Sequence, residues 1–192
     1  RQGTIDACAG SLRRLGTDRL DMYLLHWRGS APLRQTVEAF VELKERGWIR
    51  HWGVSNFDVT DLIDLLQVPS GLDVQTDQVL YNLARRRPEY NLLPWCREQD
   101  RPVMAYSPIE QGYLLSHPAV RAVAERNDIT PAQVAPAWVL RQPLVCAIPK
   151  TGSITRVHEN AAAAAITLSP QDLAELDLAF PPPIRARPLE TL

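Results

Sequence analysis

Cysteine is scarce in this sequence, and none of the cysteines is spaced as a metal ligand or as part of a disulfide framework. Cys8, Cys96 and Cys146 are far apart and odd in number. Structural zinc sites need clustered Cys or His ligands, and disulfide-rich domains need paired cysteines. The pattern therefore predicts no metal site and favours a reducing compartment, which we expect to be the cytoplasm.

Long apolar runs and an excess of charge of one sign are also absent. No run of 18 apolar residues occurs, and the chain, which opens at Arg1, has no signal-peptide pattern at its amino terminus. The formal net charge is −1 and the isoelectric point about 6.5. A balanced charge offers no electrostatic footprint for a polyanion or a lipid surface. We therefore expect neither nucleic acid nor membrane as a partner.

Short apolar segments alternate with helical patterns along the chain. Gly16 is a candidate C-cap of the first helix, Asp58 can cap another, and Thr130 with Gln133 forms a capping box. Strands separated by helical crossovers indicate a parallel sheet of the α/β class. The predicted strands cover 20–27, 49–54, 74–79, 103–106 and 145–148.

This alternation fits a (β/α)₈ TIM barrel better than a dinucleotide-binding Rossmann sheet. No strand leads into the Gly-x-Gly-x-x-Gly turn that a Rossmann fold requires. A full barrel usually takes about 250 residues, so 192 residues correspond to an incomplete barrel of about five β/α units. We expect one partial barrel domain over 1–192, in which 181–192 form a carboxyl-terminal tail.

Polar or aromatic side chains follow each predicted strand. In a barrel the chemistry lies at the carboxyl ends of the strands, so five such ends together indicate a lined pocket. The histidine among them has two interpretations, a core histidine bonded to a backbone carbonyl or a group that moves protons near neutral pH. The strand-end residues are His26 and Trp27, Ser55 and Asn56, Gln78, Tyr106 and Ser107, and Lys150.

The segment AIPKTGSITRVHEN begins in the last predicted strand, and the part that follows the strand has the character of an anion site. Lys150 precedes Thr151, Gly152 and Ser153, and a helix then begins. Unpaired N–H groups and the helix dipole favour an anion at such a start, and Arg156 adds a second cation. The alternative is a surface helix that is capped and binds nothing.

Four motifs resemble the aldo-keto reductase family, the NADP-linked carbonyl reductases built on a (β/α)₈ barrel. LGTDRLDMYLLHW, GVSNF, AYSP and IPKTGSITRVHEN match in order and spacing, and the resemblance extends over essentially the whole chain. They correspond to the last five strands of that family. The segment LYNLARRRPEYNLLPWC is most similar to a bacterial branch that includes small-aldehyde and diketo-acid reductases.

The resemblance implies NADP(H) as the cofactor and a role for each matching position. His26 matches the catalytic histidine that orients the substrate carbonyl, and Trp27 matches a wall of the substrate pocket. The implied cofactor contacts are Ser55, Asn56, Gln78 and Tyr106 at the nicotinamide; Ser107 and the loop after it, including Ile109, at the pyrophosphate; Lys150, Ser153 and Arg156, with Thr151 beside them, at the adenosine 2′-phosphate; and Glu159 and Asn160 at the adenine.

Two features depart from the family pattern. The tyrosine, lysine and aspartate that complete the family's catalytic site lie on its first three strands, and nothing in this chain matches them. Tyr23, Tyr81, Tyr90 and Tyr113 do not accompany a lysine in a matching motif. In SPIEQG, Glu110 stands where the family often has a small residue, and it would bring a carboxylate near the pyrophosphate.

The expected function is NADPH-dependent reduction of aldehyde or ketone carbonyls to alcohols, with the chain present as a carboxyl-terminal fragment. We expect a small carbonyl compound as substrate and a monomeric parent enzyme, and we expect the fragment alone to be inactive. The alternatives are a non-catalytic NADP(H)-binding or regulatory protein and an inactive truncated product.

Overall fold

The computed structural model describes all 192 residues and shows five strands alternating with eight helices. Four short 3₁₀ turns, at Gly71–Asp73, Arg87–Glu89, Glu110–Ser116 and Ala163–Ala165, complete the regular structure. The main elements are α1 (Gln2–Leu15), β1 (Leu20–Leu25), α2 (Leu33–Glu45), β2 (Ile49–Ser55), α3 (Val59–Leu66), β3 (Asp77–Leu80), α4 (Leu92–Glu98), β4 (Val103–Tyr106), α5 (Pro118–Arg126), α6 (Pro131–Leu140), β5 (Val145–Ile148), α7 (Ile154–Ala162) and α8 (Pro170–Ala179).

The strands form one sheet whose order, β1-β2-β3-β4-β5, is the order along the chain. The pairing is parallel from Leu20 opposite Ile49 in β1 and β2 to Tyr106 opposite Ile148 in β4 and β5. The α/β architecture with a parallel sheet, predicted from the alternation of patterns, is therefore confirmed.

Four strand boundaries differ from the prediction: β2 and β3 each end one residue later, at Ser55 and Leu80, and the two larger differences are at the end of β1 and the start of β3. Strand β1 ends at Leu25, so His26 and Trp27 lie in the turn that follows it. Strand β3 begins at Asp77 rather than at Val74, because the preceding residues follow a 3₁₀ turn. Gln75 nevertheless donates its N–H to the carbonyl of Trp52 at 3.0 Å, so this segment already runs beside β2.

The chain divides into two compact units, Arg1–Gln78 and Val79–Leu192, and each has its own core. In the first unit, Phe40 of α2 stacks on Trp52 of β2 with ring centroids 4.9 Å apart. Gly53 allows the backbone of β2 to approach Thr76, since a Cβ at this position would lie 2.6 Å from the Thr76 carbonyl oxygen. The first unit is thus closely packed up to the end of β2.

The core of the second unit is built around Trp138 of α6. The Tyr81 ring lies 5.4 Å from it, and the Arg141 guanidinium lies 3.6 Å above its face. The buried Tyr81 hydroxyl donates to Glu89 at 2.7 Å, so its hydrogen-bonding capacity is satisfied. Helix α6 is buried continuously from Val134 to Val139, and it forms the base on which β5 and α7 pack.

The predicted helix caps are present. Gly16 ends α1 with φ of 66°, the left-handed conformation that glycine adopts without strain. The Asp58 carboxylate accepts the Asp61 N–H at 2.9 Å at the start of α3. At the start of α6, the Thr130 N–H donates to Gln133 Oε1 at 3.0 Å. Local sequence therefore fixes where these three helices begin or end.

None of the helices combines the length and the apolar character needed to cross a bilayer. The structure also contains no group of three or more His, Cys, Asp or Glu side chains that could hold a metal ion.

Candidate functional site

The first unit brings four of the predicted site residues together where β1 and β2 end and β3 begins. The carbonyl of Gln78 accepts both the Asn56 N–H, at 2.9 Å, and the Ser55 hydroxyl, at 2.8 Å. The Asn56 side chain donates to Ser55 Oγ at 3.0 Å and to the carbonyl of His26 at 3.3 Å. Asn56 thereby connects the turns after β1 and β2 to the beginning of β3.

The backbone of Asn56 explains why this residue type stands here. Its φ is 61°, a left-handed conformation that asparagine tolerates better than most other residues with a side chain. The turn lets the chain leave β2 and enter α3 within a few residues, beginning at the Asp58 cap. A β-branched residue at this position would be strained.

His26 and Trp27 are exposed beyond the end of β1, with their rings tilted and 5.5 Å apart. The next residue, Arg28, fixes this turn, because its guanidinium binds Asp61 and also Asp64, the latter at 3.0 Å, on α3. The imidazole is therefore not packed in the core, and it lies in an anchored turn that leaves it accessible to a small molecule.

A buried carboxyl group, which the sequence analysis did not identify, underlies this cluster. Asp77 is 3% exposed, directly before Gln78. One of its oxygens accepts the Phe57 N–H at a long 3.5 Å, and the other has no partner. Burial raises the pKa of the Asp77 carboxyl well above its usual range, and the nearby carboxylates of Asp61 and Asp58 act in the same direction. The only sequence signal was an acidic residue within a predicted strand.

The second unit gathers six other predicted residues around a cleft of about 160 Å³ at the start of α7. The carboxylate of Glu159 is held there by the Thr130 hydroxyl, which comes from the start of α6. The cleft is therefore formed by the end of β5, the loop after β4, and the amino-terminal ends of α6 and α7. The predicted residues that line it are Ile109, Lys150, Thr151, Arg156, Glu159 and Asn160.

The charge of this cleft is positive. Lys150 and Arg156 are both exposed, and neither forms an ion pair with a carboxylate of the chain. Ser153 caps α7 by accepting the Arg156 N–H on its hydroxyl oxygen at 3.5 Å, and its own N–H donates to Thr151 Oγ1 at 3.1 Å. Two cations without a carboxylate partner beside a helix amino terminus can bind an anion such as phosphate.

Tyr106 and Ser107 lie at the end of β4 and are not among the residues around that cleft. Burial raises the pKa of the Tyr106 phenol, and a hydrogen bond from the backbone N–H of Leu192 partly offsets this effect. Ser107 has φ of 51°, and its carbonyl accepts the Asn82 side-chain N–H at 2.8 Å. The side chain of Asn82 therefore fixes the turn that leads out of β4.

Glu110 does not present a free carboxylate to the loop after β4. Its side chain is 9% exposed and accepts from Arg85 Nε at 2.7 Å and from the Asn82 amide at 2.6 Å. The guanidinium neutralises the charge of Glu110, so this departure from the family pattern does not introduce an uncompensated negative charge. Sequence analysis missed both partners, although the arginine run in ARRRPE was a visible signal.

Comparison with known proteins identifies the family. The model of the aldo/keto reductase family matches residues 1–179. The chain belongs to this family. The resemblance drawn from the motifs is therefore confirmed.

Two curated bacterial relatives illustrate the similarity. Methylglyoxal reductase YeaE of Escherichia coli is 49% identical over 187 residues, which cover 95% of this chain and 66% of that protein. Glyoxal reductase of Bacillus subtilis is 35% identical, over 91% of this chain and 62% of that protein. The chain thus spans a little under two thirds of the length of these relatives.

Solved structures agree with the fold. An aldo/keto reductase of Klebsiella pneumoniae, crystallised with NADP and acetate, superposes with a TM-score of 0.94 at 50% identity over 97% of this chain and 68% of that one. The thermostable aldo-keto reductase Tm1743, in complex with the inhibitor epalrestat, gives a TM-score of 0.84 at 35% identity, with 93% and 66% of the two chains covered. The fold class is an incomplete (β/α)₈ barrel with five parallel strands.

Proposed function

We propose that the chain is the cofactor-binding, carboxyl-terminal part of an NADPH-dependent reductase that converts small aldehydes and ketones to alcohols. The observation that carries the proposal is the cleft at the start of α7, where Lys150 and Arg156 face solvent without carboxylate partners beside a capped helix amino terminus. The Klebsiella structure with NADP, and the relatives named for the reduction of methylglyoxal and glyoxal, support it.

The residues of the second unit fit the adenosine end of NADP(H). Arg156 offers a planar set of N–H donors that matches phosphate oxygens, and Lys150 adds a point charge. Glu159 and Asn160 are half-buried next to them and can hydrogen-bond to the adenine. At the end of β4, Tyr106 supplies a flat apolar face for the nicotinamide ring.

The residues of the first unit fit the carboxamide of the nicotinamide and the substrate carbonyl. The Asn56 and Gln78 amides can each donate to and accept from a carboxamide, and Ser55 adds a hydroxyl. In this proposal His26 orients the substrate carbonyl, and Trp27 forms an apolar wall beside it. The nicotinamide itself supplies the hydride when it is bound, and these protein groups bind and orient.

A purely binding role is a second candidate for the 192 residues by themselves. Of the two lysines, Lys44 pairs with Asp73 at 3.3 Å, and Lys150 lines the cleft, where no tyrosine is present. In this second candidate, neither lysine tunes a tyrosine as a general acid. We propose that these residues hold the cofactor and contribute His26, without turnover of their own.

The adenosine site can be tested by titrating the chain with adenosine 2′,5′-bisphosphate and with adenosine 5′-monophosphate in a calorimeter. A charge-assisted hydrogen bond contributes roughly 1.5–3 kcal/mol, so Arg156→Ala should weaken the bisphosphate about tenfold to hundredfold. The monophosphate, which lacks the 2′-phosphate, should lose little.

The matched control is Arg121→Ala, which removes an exposed arginine of α5 that does not line the cleft. It should bind both nucleotides like the unaltered chain. Equal weakening of both nucleotides by Arg156→Ala would show that Arg156 supports the helix and is not a ligand of the 2′-phosphate. Failure of the unaltered chain to distinguish the two nucleotides would contradict the proposed site.

A further inference from the structure

Arg85 stands between two carboxylates that belong to distant parts of the second unit. Its Nε donates to Glu110 Oε1 at 2.7 Å, and its Nη1 donates to Glu190 Oε1 at 3.0 Å. Glu110 is in the loop after β4, and Glu190 is in the carboxyl-terminal tail, 105 residues from Arg85. One guanidinium therefore connects the loop to the tail.

The loop side of this connection is strained. Ser107, Glu110 and Gln111 have φ values of 51°, 46° and 52°, a conformation that costs free energy for residues with side chains. The conformation persists because the Asn82 amide holds both the Ser107 carbonyl and the Glu110 carboxylate. Removing the charge partner of the buried Glu110 would therefore release a segment that is not stable by itself.

The tail side is held by fewer and more exposed contacts. Arg87 binds Glu190 at 3.3 Å and donates to the Pro188 carbonyl at 2.8 Å. Two residues beyond Glu190, the backbone N–H of Leu192 reaches the Tyr106 phenol. The tail thus ends against the aromatic residue at the end of β4, immediately before the loop that Arg85 holds.

We propose that Arg85 is a positioning residue that makes the loop after β4 and the tail open and close together. Its significance for the enzyme rests on the proposed function, because that loop is the proposed pyrophosphate contact and Tyr106 the proposed nicotinamide face. When the loop opens for a dinucleotide, the contact of the tail with Tyr106 weakens. A ligand that orders one of the two segments also orders the other. Such coupling is reciprocal, so each segment must respond to a change made in the other.

Amide hydrogen exchange of the chain without any nucleotide tests this coupling. The Glu110 and Gly112 N–H groups, bonded to Ser107 and Ile109 at 2.9 Å, report on the loop, and the Leu192 N–H reports on the tail. Glu190→Gln, a change in the tail, should raise exchange in the loop about two- to fivefold, the range expected for a partly exposed ion pair. Glu110→Gln should raise exchange at Leu192.

A double-mutant cycle separates coupling from simple support of the fold. In an Arg85→Gln background, Glu190→Gln should no longer change exchange in the loop, because the connection is already broken. A persistent effect of Glu190→Gln in that background would overturn the role of Arg85. Glu175→Gln is the matched control, since it removes a carboxylate that pairs with Arg126 at 2.5 Å and should leave both segments unchanged.

Independent responses of the loop and the tail would also overturn the proposal. Because no nucleotide is present, this outcome is distinct from failure of the proposed function, which the bisphosphate titration detects. The Arg85, Glu110 and Glu190 variants leave the Arg126–Glu175 pair of α8 and the core around Trp138 unchanged, and Glu190→Gln lies in the tail, so loss of folding does not obscure the result.

Discussion

A single carboxyl group, Asp77, has the most unusual environment of any residue near the strand ends. It is buried next to Gln78 with one oxygen lacking a partner, and burial raises its pKa. A buried carboxylate without a cation is costly, so the folded protein favours the protonated form. Asp77 thus links the stability of the first unit to pH.

Asp77→Asn should stabilise the protein at neutral pH. Between the ordinary carboxyl pKa of about 3.9 and its raised folded value, the folded chain holds a proton that the unfolded chain has lost. The stability from Asp77 is therefore complete below about pH 4 and declines as the pH rises toward the folded pKa. An amide resembles the neutral acid and does not ionise, so urea unfolding at pH 7 should show a gain of about 1–3 kcal/mol.

The gain from Asp77→Asn should largely vanish near pH 4, where the carboxyl is neutral in the folded state and about half neutral in the unfolded state. Asp73→Asn is the control, because Asp73 is half exposed and pairs with Lys44 at 3.3 Å. It should change stability by about 0–1 kcal/mol in the destabilising direction at pH 7. An equal gain from Asp77→Asn at both pH values would mean that its carboxyl pKa is not raised.

Residue roles could be predicted only where a motif carried them. The motifs predicted the cations Lys150 and Arg156 at the start of α7, and the structure brings both to one cleft. Asp77, Arg85 and Glu190 were missed because their environments depend on contacts between segments distant in sequence. A buried oxygen without a hydrogen-bond partner, or a guanidinium shared by two carboxylates, produces no recognisable pattern in the neighbouring sequence. The roles proposed for the motif residues in cofactor binding remain predictions.

Helix α7 is the element on which the proposed adenosine site depends, and it is held loosely. None of its residues is buried, and Ile154 and Val157 are 79% and 53% exposed. Its start is fixed by the Ser153 cap, whose hydroxyl accepts the Arg156 N–H. The cap therefore determines where the Arg156 side chain leaves the helix.

Ser153→Ala should lower the stability of α7 by about 0.5–2 kcal/mol, the usual effect of losing an N-cap. It should also weaken adenosine 2′,5′-bisphosphate, because Ser153 is a proposed ligand and its cap positions Arg156. Hydrogen exchange of the Arg156 and Val157 amides measures the first effect, and calorimetric titration measures the second.

Ser169→Ala is the control for this change, since Ser169 caps α8 in the same way by accepting the Asp172 N–H at 3.2 Å. It should destabilise α8 and leave bisphosphate binding unchanged. If both variants weaken the nucleotide equally, the effect arises from general loss of stability and not from the α7 site.

Element types were more predictable than element boundaries. Capping residues at Gly16, Asp58 and Thr130 predicted helix ends, because these signals act within one turn. The limits of β1 and β3 were less accurate, because pairing with β2 decides where a strand ends. A sheet partner cannot be read from a single apolar segment.

For the molecule as a whole, we predict that the chain binds the cofactor without catalysing the reaction. The proposed cofactor ligands are present, and no residues match the family's catalytic tyrosine, lysine and aspartate. Enzymes typically turn over at roughly 1–10³ per second. The purified 192-residue chain should not oxidise NADPH at such a rate in the presence of methylglyoxal. The physical reason is that no tyrosine of this sequence accompanies a lysine in a motif matching the family's general acid. A positioned general acid contributes about 10²–10⁴ to the rate. Loss of the absorbance of the reduced nicotinamide over time measures this rate.

Escherichia coli methylglyoxal reductase YeaE serves as the positive control in the same assay. Turnover by the 192-residue chain at a rate comparable to that of YeaE would refute the prediction and would require a general acid among the residues present. Binding of adenosine 2′,5′-bisphosphate by a chain without turnover would agree with the proposed division of roles.

The incomplete barrel was predictable at the scale of the whole chain because strand and helix patterns alternate throughout it. The division into Arg1–Gln78 and Val79–Leu192 could not be predicted from the sequence. It depends on which residues contact one another in the folded chain, and no change in composition marks the boundary. The boundary falls inside β3, between Gln78 and Val79, where the sequence shows neither a glycine nor a proline.

The weak anchoring of α7 has a thermodynamic consequence. An anion bound by both Lys150, which follows β5, and Arg156, on α7, would act as a reversible cross-link between the sheet and a helix that buries no residue of its own. A free concentration of this ligand about a hundred times its dissociation constant adds about 2.7 kcal/mol to the stability of the folded state that binds it. The second unit would then melt at a temperature set by nucleotide concentration, so that its cellular lifetime would follow the supply of cofactor.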